Sequence, residues 1–224
     1  MTKRLRLDDL RVIEPITASQ EEVFKSWESG NNLILSGSAG SGKTFLAMSL
    51  ALEDAMKSDT PIENVTIVRS AVPTRDVGFL PGTMEEKEAA YLAPYIAITT
   101  ELFEDKEAWQ KLCAQGMVDF LTTSYIRGIT IQDSVVIIDE MQNLTFHELD
   151  SVITRLGNNC RLILCGDYYQ SDFHKDGDKK GILKFINIIE SMKRFDHVEF
   201  TWEDIVRSGL VRDYIMTKEM MRNG

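Results

Sequence analysis

Two groups of residues carry spacing that chemistry could use. The first is Gly37-Ser38-Ala39-Gly40-Ser41-Gly42-Lys43-Thr44, the pattern G-x-x-x-x-G-K-[ST] of a phosphate-binding loop. Its glycines let successive backbone N–H groups turn inward as an anion nest at a helix N-terminus, whose dipole also favours phosphate. Lys43 can reach the β- and γ-phosphates of a nucleoside triphosphate, and the Thr44 hydroxyl can ligate Mg²⁺. The second is Asp139-Glu140 at the end of the apolar run Ser134-Val135-Val136-Ile137-Ile138. Here Asp139 would hold the metal through water and Glu140 would orient and deprotonate an attacking water. Together the two groups describe Mg²⁺-assisted transfer of a phosphoryl group from ATP to water.

Such groups need a scaffold that brings strand ends together. Leu33 to Leu35 reads as a buried strand before the loop and Phe45 to Leu52 as a buried helix after it. Val65 to Val68, Met117 to Leu121, Ser134 to Ile138, Arg161 to Cys165 and His197 to Thr201 read as further strands. Most are too apolar to have a solvent face, which predicts a parallel sheet covered by helices on both sides, with ligands at the carboxyl ends. Helices are expected from a cap at Thr17 with Gln20 or Ser19 with Glu22, from Thr83 to about Phe103 with a kink or break at Pro94, and over Asp105 to Gln115. Others are expected from Thr145 to a stop at Gly157, over Gly181 to Arg194, and over Leu210 to Met221. Arg69 to Gly82 is a Pro- and Gly-punctuated loop of a length usually reserved for function.

Two side-chain amides extend the candidate site. Gln20 lies one helix and one strand upstream of the phosphate loop and offers a donor and an acceptor suited to the adenine edge. Gln170, after the buried strand ending in Gly166-Asp167, could sense a γ-phosphate present in ATP and absent in ADP.

The 224 residues, 43% of them hydrophobic, suffice for a substantial core, and no Pro-, Gly- or Ser-rich linker divides them; residues 1–11 read as an N-terminal arm of a single domain. Cys113, Cys160 and Cys165 lack metal or disulfide spacing and read as core thiols; His147, His174 and His197 are scattered, and read as structural or surface residues. No apolar run approaches the roughly 20 residues that span a bilayer, and Lys3, Arg4 and Arg6 have no apolar signal core behind them, so a cytosolic protein with a frayed basic end is expected. The net charge of −10 opposes nonspecific nucleic-acid binding, leaving only a local surface for it, with the Arg69 to Pro81 loop and Arg127 as candidates.

The order phosphate loop, Asp139-Glu140-Met141-Gln142, then Gly166-Asp167-x-x-Gln170 resembles superfamily 1 helicase cores and, more closely, the PhoH-like ATPases. The closer likeness rests on Arg69-Ser70-Ala71-Val72 with Gly78 to Gly82, Tyr125-Ile126-Arg127-Gly128, Thr154-Arg155-Leu156-Gly157 and Asp204-Ile205-Val206-Arg207. It spans about residues 12–215. Ser70 stands where the family commonly has proline, Met141 where alanine is usual, and Tyr168-Tyr169 precede Gln170.

The resemblance implies a RecA-like P-loop α/β fold with one strand between the phosphate-loop and Walker B strands, a Gln20 contact to adenine, ATP hydrolysis, a hexameric ring, and action on RNA or single-stranded DNA. Gln142 and Gln170 would hold water or the γ-phosphate in line. An arginine for the γ-phosphate would come from a neighbouring subunit, with Arg207 the first choice and Arg155 the second, since one RecA-like core has no second domain to supply it. Alternatives from other classes are a small-molecule kinase, disfavoured by Glu140 and the lack of an arginine-rich lid, and a nucleotide-gated interaction module, disfavoured by the presence of both Lys43 and Glu140.

Overall fold

The computed structural model describes residues 4–70, 84–167 and 176–222. Six parallel strands form one sheet: β1 (Asn32–Gly37), β2 (Asn64–Arg69), β3 (Val118–Thr122), β4 (Ser134–Ile138), β5 (Arg161–Gly166) and β6 (Phe195–Phe200), in the order β3-β2-β4-β5-β1-β6. The phosphate-loop strand β1 and the acidic strand β4 are thus separated by β5, the inserted strand expected of a RecA-like core. Every described strand pairing is parallel, so all carboxyl ends meet on one edge of the molecule.

Alternation along the strands divides the core in two. Leu33, Leu35, Val65, Ile67, Val135, Ile137, Ile163, Cys165, Val198 and Phe200 face one side. That side is covered by α1 (Ala18–Glu28), α2 (Lys43–Met56), α3 (Met84–Phe103) and α4 (Ala108–Ala114). Ile34, Val68, Val136, Ile138, Leu162 and Leu164 face the other, under α5 (Phe146–Ile153) and α6 (Asp176–Ser191). The last helix is α7 (Gly209–Arg222). Helix α2 is buried from Leu46 to Leu52, as its apolar sequence requires of a helix behind the sheet's centre.

Local signals explain the helix starts. Thr17 is the N-cap of α1, its hydroxyl accepting from Gln20 N–H at 3.3 Å, while Ser19 bonds elsewhere. Thr145 and Glu148 form a reciprocal capping box on α5.

Four expectations are corrected. Helix α5 ends at Ile153, short of Gly157, because Leu156 leaves the helix to bridge Ile131 and Gly157 N–H donates to the Ile131 carbonyl at 2.6 Å. Gly157 is instead a close-approach position, where a Cβ would stand 3.0 Å from Thr130 Cγ2 and 3.1 Å from the Ile131 oxygen. Of the kink or break expected at Pro94, the break does not occur, since α3 runs through it as one helix. Cys113 is exposed and Cys160 half-buried, leaving Cys165 the one core thiol. The arm is docked from residue 4 onward: Leu5 belongs to the core and Arg11 N–H donates to the Leu102 carbonyl at 2.8 Å, although Arg4 and Arg6 themselves are exposed. No described helix is long and apolar enough to cross a membrane.

Candidate nucleotide site at the carboxyl edge of the sheet

The chain leaves β1 through Gly37, whose φ of +105° and surroundings both demand glycine: a Cβ there would lie 2.0 Å from the Phe200 carbonyl oxygen. That oxygen is occupied in accepting from Ser38 N–H at 2.9 Å, which ties the loop to the end of β6. Gly37→Ala is accordingly expected to destabilise the fold by about 2–5 kcal/mol, from strain and overpacking together, as read by chemical denaturation.

Gly40 and Gly42 also take left-handed conformations, and α2 begins at Lys43. The Lys43 ammonium lies across the loop, donating to the Gly37 carbonyl at 2.9 Å, the Ser38 carbonyl at 2.7 Å and Ser41 Oγ at 3.2 Å. Ser41 Oγ itself donates to the Ser38 carbonyl at 2.8 Å. Burial lowers the Lys43 pKa, opposed by the neighbouring Cys165, Asp167, Glu140 and Asp139. Ala39 is at the exposed tip.

Opposite stands the end of β4. Asp139 is 5% exposed; its Oδ1 accepts from Thr44 Oγ1 at 3.0 Å and its Oδ2 from the Tyr95 hydroxyl at 2.7 Å. Thr44 and Asp139 are hard oxygen donors brought together at the mouth of an anion nest, a donor set that fits Mg²⁺ better than a softer metal. Tyr95, on α3, belongs to none of the sequence motifs. Burial and the Asp139 charge raise its pKa well above the ordinary tyrosine range, so it stays a neutral donor.

Glu140 has a φ of +53°, sparsely populated for a residue with a Cβ, and it caps a single 3-10 turn over Met141–Asn143. That turn points the Gln142 amide back: Nε2 donates to Glu140 Oε2 at 2.5 Å, and Oε1 accepts from Asp167 N–H at 3.0 Å. Gln142 is therefore a strut between the ends of β4 and β5. Gly166 makes room for it, since a Cβ there would meet Gln142 Oε1 at 2.4 Å and Met141 Cγ at 2.7 Å. Burial and Asp139 raise the Glu140 pKa, with Arg69, Gln142 and Lys43 pulling the other way.

The remaining predicted residues fall in different places. Gln20 is buried at the start of α1, its Oε1 accepting from Ile16 N–H at 2.9 Å. Ser19 Oγ next to it donates to Asp204 Oδ2 at 2.9 Å, anchoring this helix start to the segment after β6 and so to the same edge of the sheet. That segment then folds onto the phosphate loop. Val206 N–H donates to the Gly40 carbonyl at 3.3 Å, and a Cβ on Gly40 would lie 3.1 Å from Arg207 Cγ and 3.4 Å from Ile215 Cδ1. Arg207 thus lies beside the phosphate loop of its own chain.

Arg155 is exposed just past α5, beside the Ile131–Leu156 bridge that precedes β4 and β5, and so at the amino edge, away from its own loop. Arg69 is half-buried with its guanidinium turned inward to Tyr95 and 5.7 Å from the Tyr91 ring centroid. Gln170, His174 and residues 71–83 of the loop after Arg69 lie outside the described residues. Of the other histidines, His147 is exposed, while His197 joins Ser36 Oγ at 2.7 Å to Glu190 Oε1 at 2.6 Å, bracing β6 against β1 and α6.

A model of the family described as PhoH-like protein matches residues 12–219. The chain is 30% identical over 206 residues to a PhoH-like protein of Mycobacterium tuberculosis, covering 92% of this chain and 57% of that one. It is 32% identical over 209 residues to Protein PhoH of Escherichia coli, covering 90% of this chain and 58% of the other. It therefore spans somewhat more than half the length of these relatives. Among solved structures, a large terminase from a thermophilic bacteriophage shares the fold, with a TM-score of 0.53 at 14% identity over 90% of this chain and 50% of the terminase.

Proposed function

Because the chain belongs to the PhoH-like protein family, we propose that it is a Mg²⁺-dependent ATPase that works on single-stranded RNA or DNA as a ring of identical subunits, a hexamer by family resemblance. The observation that carries this reading is the Thr44–Asp139 hydrogen bond, which joins the phosphate loop to the acidic strand with Glu140 one residue beyond. In it, the loop N–H groups and Lys43 bind the β- and γ-phosphates, and the buried Gln20 amide meets the adenine edge. A Mg²⁺ ion held by Thr44 and, through water, by Asp139 would supply charge neutralisation at those phosphates. Glu140, kept in place by the Gln142 strut, takes a proton from the water whose oxygen attacks the γ-phosphorus, and the bond to the ADP oxygen breaks. Gln170 would report the γ-phosphate to the rest of the molecule.

The polymer contact is assigned to the turn after β3. Tyr125 is 58% exposed and Arg127 is also exposed, while Ile126 between them is buried and fixes the turn. Glu148, the capping residue of α5, accepts from Thr123 Oγ1 at 2.6 Å and holds this turn against the carboxyl edge. An aromatic face beside a guanidinium is the combination that stacks a base and pairs a phosphate. Since the Arg69 side chain faces inward, the surface centres on Tyr125 and Arg127.

Fluorescence anisotropy with labelled oligo(U) and oligo(dT) at low salt, in apo, ADP and ATP-analogue states, tests the assignment. Tyr125→Ala should cost about 1–3 kcal/mol of affinity, and Arg127→Ala should reduce the salt slope by about 0.7. Binding in none of the three states removes the nucleic-acid part of the reading.

A further inference from the structure

Both oxygens of Asp139 are engaged, and only one of them by a residue of the nucleotide motifs. The other accepts from Tyr95, which sits fully buried in α3 and 44 residues earlier in the chain. Packing holds its ring: the Trp109 centroid lies 6.2 Å away and the Phe120 centroid 5.8 Å. Its carbonyl accepts from Thr99 Oγ1 at 2.9 Å, which bonds one turn of α3 to the next.

The Arg69 guanidinium is turned inward toward the same phenol and the Asp139 carboxylate. A guanidinium has only donors, so the single phenolic proton cannot be directed at Arg69 and must go to Asp139. The phenolic proton therefore has one destination, Asp139. A buried tyrosine hydroxyl needs a partner, and a backbone carbonyl would serve. Here the partner is the carboxylate of the acidic strand, with a cation placed so that it would draw that carboxylate away if the hydroxyl were missing.

We propose that Tyr95, backed by Arg69, is a positioning residue for Asp139, fixing one carboxylate oxygen so that the other is presented beside Thr44 to a hydrated divalent cation. This rests on the reading of the site as a metal–nucleotide site. Without the hydroxyl, Asp139 can turn toward Arg69, and its charge is then shared with an internal cation. Groups that orient a metal-binding side chain in this way typically govern 10- to 100-fold of metal affinity.

The test is Mn²⁺ binding by electron paramagnetic resonance in the presence of saturating ADP, on the full chain, alongside metal-free binding of fluorescent ADP and a thermal melt. Tyr95→Phe is expected to weaken Mn²⁺ binding by about 10-fold or more while leaving metal-free ADP binding unchanged. Replacing Tyr95 by 4-aminophenylalanine, which restores a donor in the same place, should return Mn²⁺ affinity toward that of the unmodified chain. Equal Mn²⁺ affinity in the unmodified and Tyr95→Phe proteins overturns the inference and leaves the ATPase reading standing. Should Tyr95→Phe not fold, the aminophenylalanine protein decides alone: loss of Mn²⁺ affinity there overturns the inference. An unmodified chain that binds ADP but no Mn²⁺ overturns the reading of the site itself.

Discussion

Glu140→Gln protein is expected to bind ATP and to hydrolyse it at least about 10²-fold more slowly than the unmodified chain, the usual effect of losing a positioned general base. The side chain keeps its shape and a bond to Gln142 remains possible, so binding should survive while the proton acceptor is gone. Burial and Asp139 raise the Glu140 pKa, and a base must be deprotonated to act. Activity of the unmodified protein should therefore fall, as the pH is lowered, at a higher pH than an exposed glutamate would dictate, and Glu140→Gln should lose that limb. Single-turnover rates across pH measure both. Hydrolysis by the variant at the unmodified rate would take Glu140 out of the mechanism.

A larger effect is expected from Arg155. Stabilising charge on the γ-phosphate with an arginine is worth about 10³–10⁵ in rate in this kind of chemistry. Arg207 lies against Gly40 of its own chain and is expected to serve that same site. Arg155, at the amino edge, can reach a phosphate only in another copy, which the proposed head-to-tail ring would provide. Arg155→Ala should lower turnover by about 10³-fold or more without preventing assembly. Mixed with Lys43→Ala protein, it should regain activity, because intact loops then face intact arginines across the new interfaces. Arg207→Ala mixed with the same partner should stay inactive, since each kind of subunit then carries a defect in its own pocket. A monomer in light scattering that is fully active, or an Arg155→Ala protein with unchanged turnover, would defeat the assignment.

How much of this was legible in the sequence follows from how local each feature is. The phosphate loop is eight consecutive residues with a strand before and a helix after, and each part constrains the others. Asp139 and Glu140 end a run that is apolar because it is buried on both faces. Thr17 and Thr145 announce helices through contacts three residues away.

Tyr95 carried no such signal: it is one aromatic residue in an apolar helix, and its role exists only because α3 crosses the end of β4. Arg207 is similar, since the sequence shows an arginine after a strand but not that β6 lies beside β1 and delivers the following turn onto Gly40. Gly157 misled because a glycine after a helical pattern usually stops it, whereas here the close passage of residues 130–132 is what requires it. Leu5 is one of three leucines, with Leu7 and Leu10, spaced among charges in the arm, too short a pattern to reveal which of them reaches the core.

The position of β1 also bears on how the chain is made. Its two neighbours are β5 and β6, and more than half the sequence separates β1 from the nearer of them. β2 can pair with both β3 and β4 while synthesis continues, since all three are made by residue 138, and only the far side of β4 still awaits β5. The phosphate-loop strand cannot. It leaves the ribosome early and waits, apolar and unpaired, until residues 161–166 and 195–200 close over it, and parallel pairing across such a distance is slow. The β5-β1-β6 side of the sheet is therefore the last part to be assembled, and the waiting strand is the segment most in need of protection from aggregation during translation.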